Sequence, residues 1–201
     1  MFKKKFFFIV FEGTEGTGKS YQINKLFSNL KKNNIQSIKT REPGGTKTAE
    51  NIRKLIFGKK SNKLDSLTDY YLMLAARNEH VKKLLIPAKK NKRIVISDRF
   101  VDSTYAYQVI GNKINSRINK INQEYILDDL KPNLVIILKA NFNIISKRLR
   151  QRKSMNKFDF LKKSFYTKVQ NAFIQIAKKN PKNYLIFNSS KNDKDLEKEI
   201  L

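Results

Sequence analysis

FFFIVFEGTEGTGKS, residues 6–20, joins an apolar run to a glycine-spaced turn that ends in a lysine and a serine. The run Phe6 to Phe11 has no polar interruption and predicts a strand over Lys5 to Phe11, and Lys19 to Leu30 brings Ile23, Leu26, Phe27 and Leu30 to helical spacing. Between them, Gly13 to Ser20 satisfies G-x-x-x-x-G-K-[ST] in full, in the strand, tight loop and helix context that the motif requires. The residue types suit a polyphosphate. Gly13, Gly16 and Gly18 let the backbone N–H groups of the loop, through Thr14, Glu15 and Thr17, curve around phosphate oxygens. Lys19 reaches the β and γ oxygens, and the Ser20 hydroxyl suits Mg²⁺.

Working outward, Ile35 to Lys39 reads as a second strand, and Glu42-Pro43-Gly44-Gly45 makes a sharp turn before a helix over Thr46 to Phe57 with Ile52, Leu55 and Ile56 inward. Leu67, Tyr71, Leu74, Val81, Leu84 and Leu85 mark one long helix over Leu67 to Lys89, with Pro87 near its end. Arg93 to Ser97 is a strand delivering Asp98 and Arg99, followed by short helical material through Tyr107. Residues 120–130 form a helix, Leu134 to Leu138 a strand buried on both faces, Asn143 to Leu149 and Phe160 to Lys178 helices, Tyr184 to Phe187 the last strand, and Asp195 to Leu201 a terminal helix. Five strands alternating with helices predict one α/β domain over residues 1–201, a phosphate-loop NTPase with a doubly wound parallel five-stranded sheet flanked by helices, its site beyond the carboxyl ends of the strands.

Composition narrows the chemistry. The 201 residues include no cysteine and one histidine, which excludes disulfides, a thiol nucleophile and thiolate metal sites. The Phe6 to Val10 run is short and feeds directly into Glu12 and the loop, so it reads as a strand rather than a signal peptide, and no segment reaches bilayer-spanning length. The expectation is a soluble, cytoplasmic protein with no membrane partner. The formal charge of +26, from 43 Lys and Arg against 17 Asp and Glu, attracts polyanions. It is mostly lysine scattered through every segment beside many asparagines, without an arginine-aromatic array, so phosphorylated small molecules are preferred over nucleic acid as partners.

A phosphate loop alone serves a GTPase switch, an ATPase motor or a kinase. Asp98-Arg99 at a strand end pairs a group for Mg²⁺, its waters or a substrate hydroxyl with a guanidinium for phosphate; the less favoured alternative is a helix cap with a structural ion pair. Arg41-Glu42 and Arg77 lie on two other elements that the fold brings towards the same crevice. Arg148, Arg150, Arg152 and Lys153 gather positive charge where the apolar pattern breaks after Leu149, as a solvated helix end would, or as a segment that closes over two anionic substrates. His80, on the long helix, is given no catalytic role.

Taken together, FEGTEGTGKS at 11–20, TREPGGT at 40–46, AAR at 75–77 with His80, PA at 87–88, DRFVDSTYAYQ at 98–108 and the basic RLRQRK at 148–153 resemble the bacterial thymidylate kinases over nearly the whole chain. The resemblance implies a homodimeric nucleoside-monophosphate kinase that passes the γ-phosphoryl group of ATP to dTMP with Mg²⁺, within dTTP synthesis. It assigns Gly13, Thr14, Glu15, Gly16, Thr17, Gly18, Lys19 and Ser20 to the ATP phosphates, with Glu15 also on the sugar 3′-hydroxyl. Ser20, Asp98 and Glu42 organise Mg²⁺, directly or through water, and Arg41 and Arg99 hold the acceptor phosphate. Arg77 hydrogen-bonds thymine, and Thr104, Tyr107 and Gln108 line the base and sugar pocket. Gly16 stands where some members carry a loop arginine, so Arg152 first and Arg148 next supply the catalytic charge from a lid over about residues 148–158. Met73 replaces the phenylalanine that stacks on thymine, Val109 a glycine, Lys139 an acid at a strand end, and Lys153-Ser154 a lid glycine. Dimer contacts are expected near 67–85 and 104–110. A kinase for another nucleoside monophosphate or deoxynucleoside, and a basic nucleic-acid-binding ATPase, are the alternatives.

Overall fold

The computed structural model describes residues 5–58, 64–152, 162–190 and 193–201. Five strands, β1 (Phe7–Glu12), β2 (Ser37–Arg41), β3 (Ile94–Asp98), β4 (Leu134–Lys139) and β5 (Tyr184–Asn188), form one sheet in the order β2-β3-β1-β4-β5. Every pairing is parallel, from Phe7 opposite Ile94 on one side of β1 to Ile9 opposite Leu134 on the other. The doubly wound sheet expected from the sequence is the one observed. With β1 central and the chain winding outward both ways, the crevice opens at the carboxyl end of β1, between β3 and β4.

The helices are α1 (Lys19–Lys32), α2 (Lys47–Phe57), α3 (Ser66–His80), α4 (Ile86–Lys90), α5 (Val101–Thr104), α6 (Ser116–Leu127), α7 (Phe142–Arg150), α8 (Lys163–Lys179) and α9 (Asp193–Ile200). Alternation along β1 feeds two cores. Phe8 and Val10 pack with Val95, Val135 and Ile137 under Val81, Leu85, Phe100 and Phe173. Ile9 and Phe11 pack with Ile96, Ile136 and Leu138 under Ile23 and Leu196 on the other face.

Several boundaries move. The second strand lies two residues further on than its apolar pattern suggests, because β3 continues to offer a pairing edge up to Asp98, which takes Arg41 opposite it. In α2, Thr46 is the cap rather than the first helical residue, accepting from Ala49 N at 3.3 Å. Leu55, expected inward, is 60% exposed, while Ala49 and Ile56 are buried. The long helix runs through 66–90 as expected, but with a π-helical turn at Val81–Leu85 between α3 and α4. Ile86 N donates to Val81 O, five residues back, and this widening precedes Pro87, whose ring would otherwise meet the carbonyl four residues before it. A second π-helical stretch, Tyr105–Gly111, continues α5 and contains Val109, buried. α6 starts earlier than expected because Asn115 caps it, accepting from Arg117 N at 2.9 Å. Residues 153–158 of the expected lid, Lys153 among them, and the first residues of the expected Phe160 helix lie outside the described residues. Among the described residues no helix is long and apolar enough to cross a membrane.

Candidate active site

The loop after β1 is shaped by positions that only glycine fits. Gly13 has φ +133°, and a Cβ there would lie 2.2 Å from the Leu138 carbonyl oxygen, so the loop closes directly onto β4. Gly16, at φ +75°, packs against Ile145 of α7, where a Cβ would sit 3.2 Å from that side chain. Lys19 is buried, its Nζ donating to Gly13 O at 3.0 Å and Thr14 O at 2.8 Å. Burial, with Arg99 adding to it, pushes the Lys19 ammonium down to about 8.

One residue further on, Ser20 Oγ donates to Asp98 Oδ2 at 3.1 Å. Asp98 Oδ1 is buried and accepts no hydrogen bond. A serine hydroxyl beside a carboxylate with an unused oxygen is a donor set of hard oxygens, and it fits Mg²⁺ as part of a nucleotide complex rather than an all-protein cage. Among the described residues no group of three or more acidic or histidine side chains converges on a metal site.

Arg99 leaves β3 with φ +76°, the left-handed region, its N–H held by Phe11 O at 2.9 Å. That turn aims the guanidinium at the loop. Arg99 Nη2 donates to Glu15 Oε1 at 2.7 Å and Nη1 to Ser103 Oγ at 2.9 Å, and the guanidinium carbon lies 5.2 Å from the centre of the Tyr107 ring. Tyr107 OH donates to the other Glu15 oxygen at 2.6 Å. Burial and Glu15 together push the Tyr107 hydroxyl well above its ordinary range. Glu15 is therefore tied to the two residues expected around the acceptor, not directed into the phosphate loop.

Arg41 is clamped by Glu50 through Nε at 3.0 Å and Nη2 at 2.7 Å, and Glu50 also takes Gly45 N at 3.0 Å. Beside it stands Arg53, which sequence reasoning missed. Arg53 Nη1 donates to Pro43 O at 2.8 Å, and burial together with Arg41 pushes its guanidinium down to about 10. Arg41, Arg53 and Arg99 line one cavity of about 410 Å³ with Lys19 and Asp98. The helical stripe Ala49, Arg53, Ile56, spaced four and three, was the available signal for Arg53.

At the far end of the cavity lie Met73, Arg77, Phe100, Thr104, Tyr107 and Gln108. Arg77 is held on three sides, by Glu42 Oε2 at 2.7 Å, Thr104 Oγ1 at 2.9 Å and Phe100 O at 3.0 Å. Glu42 Oε1 meets His80 Nδ1 at 2.8 Å, and His80 Nε2 meets Thr40 Oγ1 at 2.8 Å. Burial raises the Glu42 carboxyl, but Arg77 and His80 outweigh it and hold the group below its ordinary value. Glu42, expected beside Mg²⁺, thus has both oxygens engaged by Arg77 and His80, and His80 is a buried strut. The Glu42–Pro43 peptide bond is cis.

The opposite wall comes from the end of α7. Arg148 Nη1 donates to Gly16 O at 3.3 Å, and Arg148 and Arg152 both line the cavity. Arg150 is exposed and Lys139 ends β4. A second residue missed from the sequence, Glu12, is fully buried at the end of β1. Burial first and Asp102 second push its carboxyl up to about 8, and burial pushes Asp102 up to about 6, with Tyr184 OH donating to it at 2.9 Å.

A glycine-shaped phosphate loop, a Ser20–Asp98 oxygen pair and six arginines on one cavity describe a phosphoryl-transfer site, and comparison with known proteins agrees. The family model for thymidylate kinase matches residues 11–200. The thymidylate kinase of Sulfurihydrogenibium sp. (strain YO3AOP1) is 33% identical over 97% of this chain and 95% of its own length. That of Mycoplasma capricolum subsp. capricolum is 35% identical over 92% and 88%. The crystal structure of thymidylate kinase from Ehrlichia chaffeensis superposes with a TM-score of 0.79 at 31% identity, covering 98% of this chain and 96% of that one. The chain belongs to the thymidylate kinase family.

Proposed function

We propose that the cavity beside Arg99 receives the monophosphate of dTMP while the loop 13–20 holds ATP, and that the side chains described above divide the transfer between them. As a member of its family the protein phosphorylates dTMP to dTDP with ATP. A phosphate oxygen of dTMP forms the new bond to the γ-phosphorus as the bond to the β,γ-bridging oxygen breaks, and ADP leaves. The chemistry asks for alignment and charge neutralisation more than for a base.

Lys19 carries charge to the transferring group, and Arg148 on α7 and Arg152 just beyond its end close on it, each able to bridge oxygens in a way lysine cannot. Ser20 and Asp98 would hold Mg²⁺, which when bound neutralises the β and γ oxygens; the unused Asp98 Oδ1 supports this. Glu42, its oxygens engaged by Arg77 and His80, would meet that centre through water. Arg99 takes the acceptor phosphate with Arg41 and Arg53 beside it. Glu15, released from Arg99 by that phosphate, engages the sugar 3′-hydroxyl. Arg77, through the N–H groups that Glu42, Thr104 and Phe100 leave over, and Gln108 read thymine, while Met73 covers the ring and Thr104 and Tyr107 line the sugar. Gly13, Thr14, Gly16, Thr17 and Gly18 shape the ATP phosphate cradle.

The chain acts as one domain, with a lid over about 148–158, in a cytoplasmic homodimer. Exposed Leu67 and Tyr71 on α3 and Ile118, Ile121 and Tyr125 on the neighbouring α6 support dimerisation through that face. In the second expected contact region, 104–110, residues 106–109 are buried within the chain, while Tyr105 and Ile110 are half-buried. The observation that carries the reading is the convergence of Lys19, Asp98 and Arg99 on one cavity. Product chromatography with ATP and dTMP tests it: dTDP forms, and Arg99→Ala abolishes it. Undiminished dTDP from Arg99→Ala would reject the acceptor site.

A further inference from the structure

Glu12 is the most buried acid near the cavity and has no part in the transfer as described. Its environment is unusually well determined. Oε1 accepts from Phe100 N at 2.8 Å and Ser103 N at 3.2 Å, and Oε2 meets Ser103 Oγ at 2.6 Å. Ser103 Oγ in turn accepts from Arg99 Nη1 at 2.9 Å. A carboxylate at the end of the central strand therefore reaches the phosphate arginine through one hydroxyl.

We propose that Glu12 and Ser103 form a brace that positions Arg99 for the acceptor phosphate. The proposal rests on the assignment of Arg99 to that phosphate.

Three features support it. First, Arg99 sits at φ +76° on a non-glycine residue, a conformation that neighbouring contacts must hold, and Glu12 fixes the backbone N–H groups of Phe100, the next residue, and Ser103, four on. Second, Ser103 has one hydroxyl proton and two lone pairs. With Glu12 ionised, that proton goes to Oε2 and the lone pairs are left for Arg99. With Glu12 protonated, Oε1 is already filled by two N–H groups, so the proton sits on Oε2 and points at Ser103 Oγ, whose second lone pair still meets Arg99. The oxygen is held in place either way. Third, the neighbouring acid does not compete: Asp102 is taken by Tyr184 OH at 2.9 Å. On its other side Arg99 leans on Glu15 at 2.7 Å, a contact to be exchanged when substrate arrives. The Ser103 contact is the one that can persist and keep the guanidinium aimed.

The test compares the binding of dTMP with that of thymidine, which lacks the phosphate. Wild type, Arg99→Ala, Ser103→Ala, Ser103→Thr, Glu12→Asp and the Glu12→Asp/Ser103→Ala pair are titrated with both ligands, and KM for ATP is measured alongside. Ser103→Ala should weaken dTMP about ten-fold, the scale of a hydrogen bond to a charged group, and leave thymidine and the ATP KM unchanged. Ser103→Thr, which keeps the hydroxyl, should restore dTMP binding. Glu12→Asp withdraws the carboxylate by one methylene and should match Ser103→Ala, and the pair should be no worse than either alone. Equal losses for dTMP and thymidine, or additive losses in the pair, would overturn the brace and leave Glu12 a helix anchor. If Arg99→Ala itself spares dTMP binding, the acceptor assignment fails and the brace with it; if Arg99→Ala weakens dTMP and Ser103→Ala does not, the brace alone fails.

Discussion

Glu42→Gln is the substitution whose outcome the structure constrains most tightly. Glu42, Arg77 and His80 are nearly or wholly inaccessible to solvent, and the carboxylate joins the other two at 2.7 and 2.8 Å. Because an ionised carboxylate only accepts, His80 Nδ1 carries a proton in this arrangement. Glutamine can keep its oxygen on Arg77 Nε and turn its NH₂ group to His80, which then accepts at Nδ1 and donates from Nε2 to Thr40. Every hydrogen bond survives by a change of tautomer. The charge does not: Arg77 is left with only neutral acceptors, Thr104 and the Phe100 carbonyl, in a buried site. Breaking a buried pair by neutralising one partner costs about 3–5 kcal/mol, and the retained hydrogen bonds place this case at the lower end, about 3 kcal/mol. Urea denaturation reads the difference directly, and Arg77→Met in the Glu42→Gln background should recover part of it, with a coupling of about 2 kcal/mol. The sign with pH is also fixed. The Glu42 carboxyl lies below its ordinary value of 4.5 in the folded protein, so its contribution is present above that value and is lost as pH falls through the folded-state value. Glu42→Gln should therefore flatten the acid limb of the stability curve. A loss under about 1 kcal/mol, or an unchanged acid limb, would refute the reasoning.

Gly45→Ala should destabilise the protein by about 2–4 kcal/mol in the same assay, since the left-handed backbone costs about 1–2 kcal/mol and the new methyl displaces a buried hydrogen bond. At φ +86° its Cβ would meet Thr40 Oγ1 at 2.4 Å and His80 Nε2 at 2.9 Å, the two ends of one hydrogen bond. Lys19→Met should abolish dTDP formation and yet raise the melting temperature at pH 7, because burial penalises the ammonium. Wild-type stability rises from pH 8 towards 10.5 as the folded-state amine is neutral while the unfolded one is still protonated, so the variant's advantage should shrink over that window; a lower melting temperature at pH 7 would contradict this. Ile121→Asp, on the exposed apolar face of α6, should give a monomer by sedimentation with dTMP binding retained if that face joins two copies.

The phosphate loop was legible in the sequence because its geometry is local: glycines 13, 16 and 18, a lysine and a serine fall within eight residues, and the positive φ of each glycine is a requirement of the turn itself. The sheet was legible for a related reason, since strands buried on both faces leave continuous apolar runs that few other structures tolerate. What failed were choices of neighbour. A helical period marks a stripe but not the surface it meets, so Leu55 read as core and is exposed, while Arg53 reads as a surface charge and lines the cavity. For Glu42 the resemblance gave a place near Mg²⁺ or its water, but only tertiary structure shows that Arg77 and His80 approach it from another helix and engage both of its oxygens. Glu12 carried no motif signal of its own, because its partners are backbone N–H groups some ninety residues along the chain that only the pairing of β1 with β3 brings into reach. By itself the sequence determined the loop, the strands and the family of chemistry, all properties of adjacent residues. Which arginine is held, by which acid and facing which way was decided by tertiary structure, because hydrogen bonds and buried charges are settled between elements and not along them.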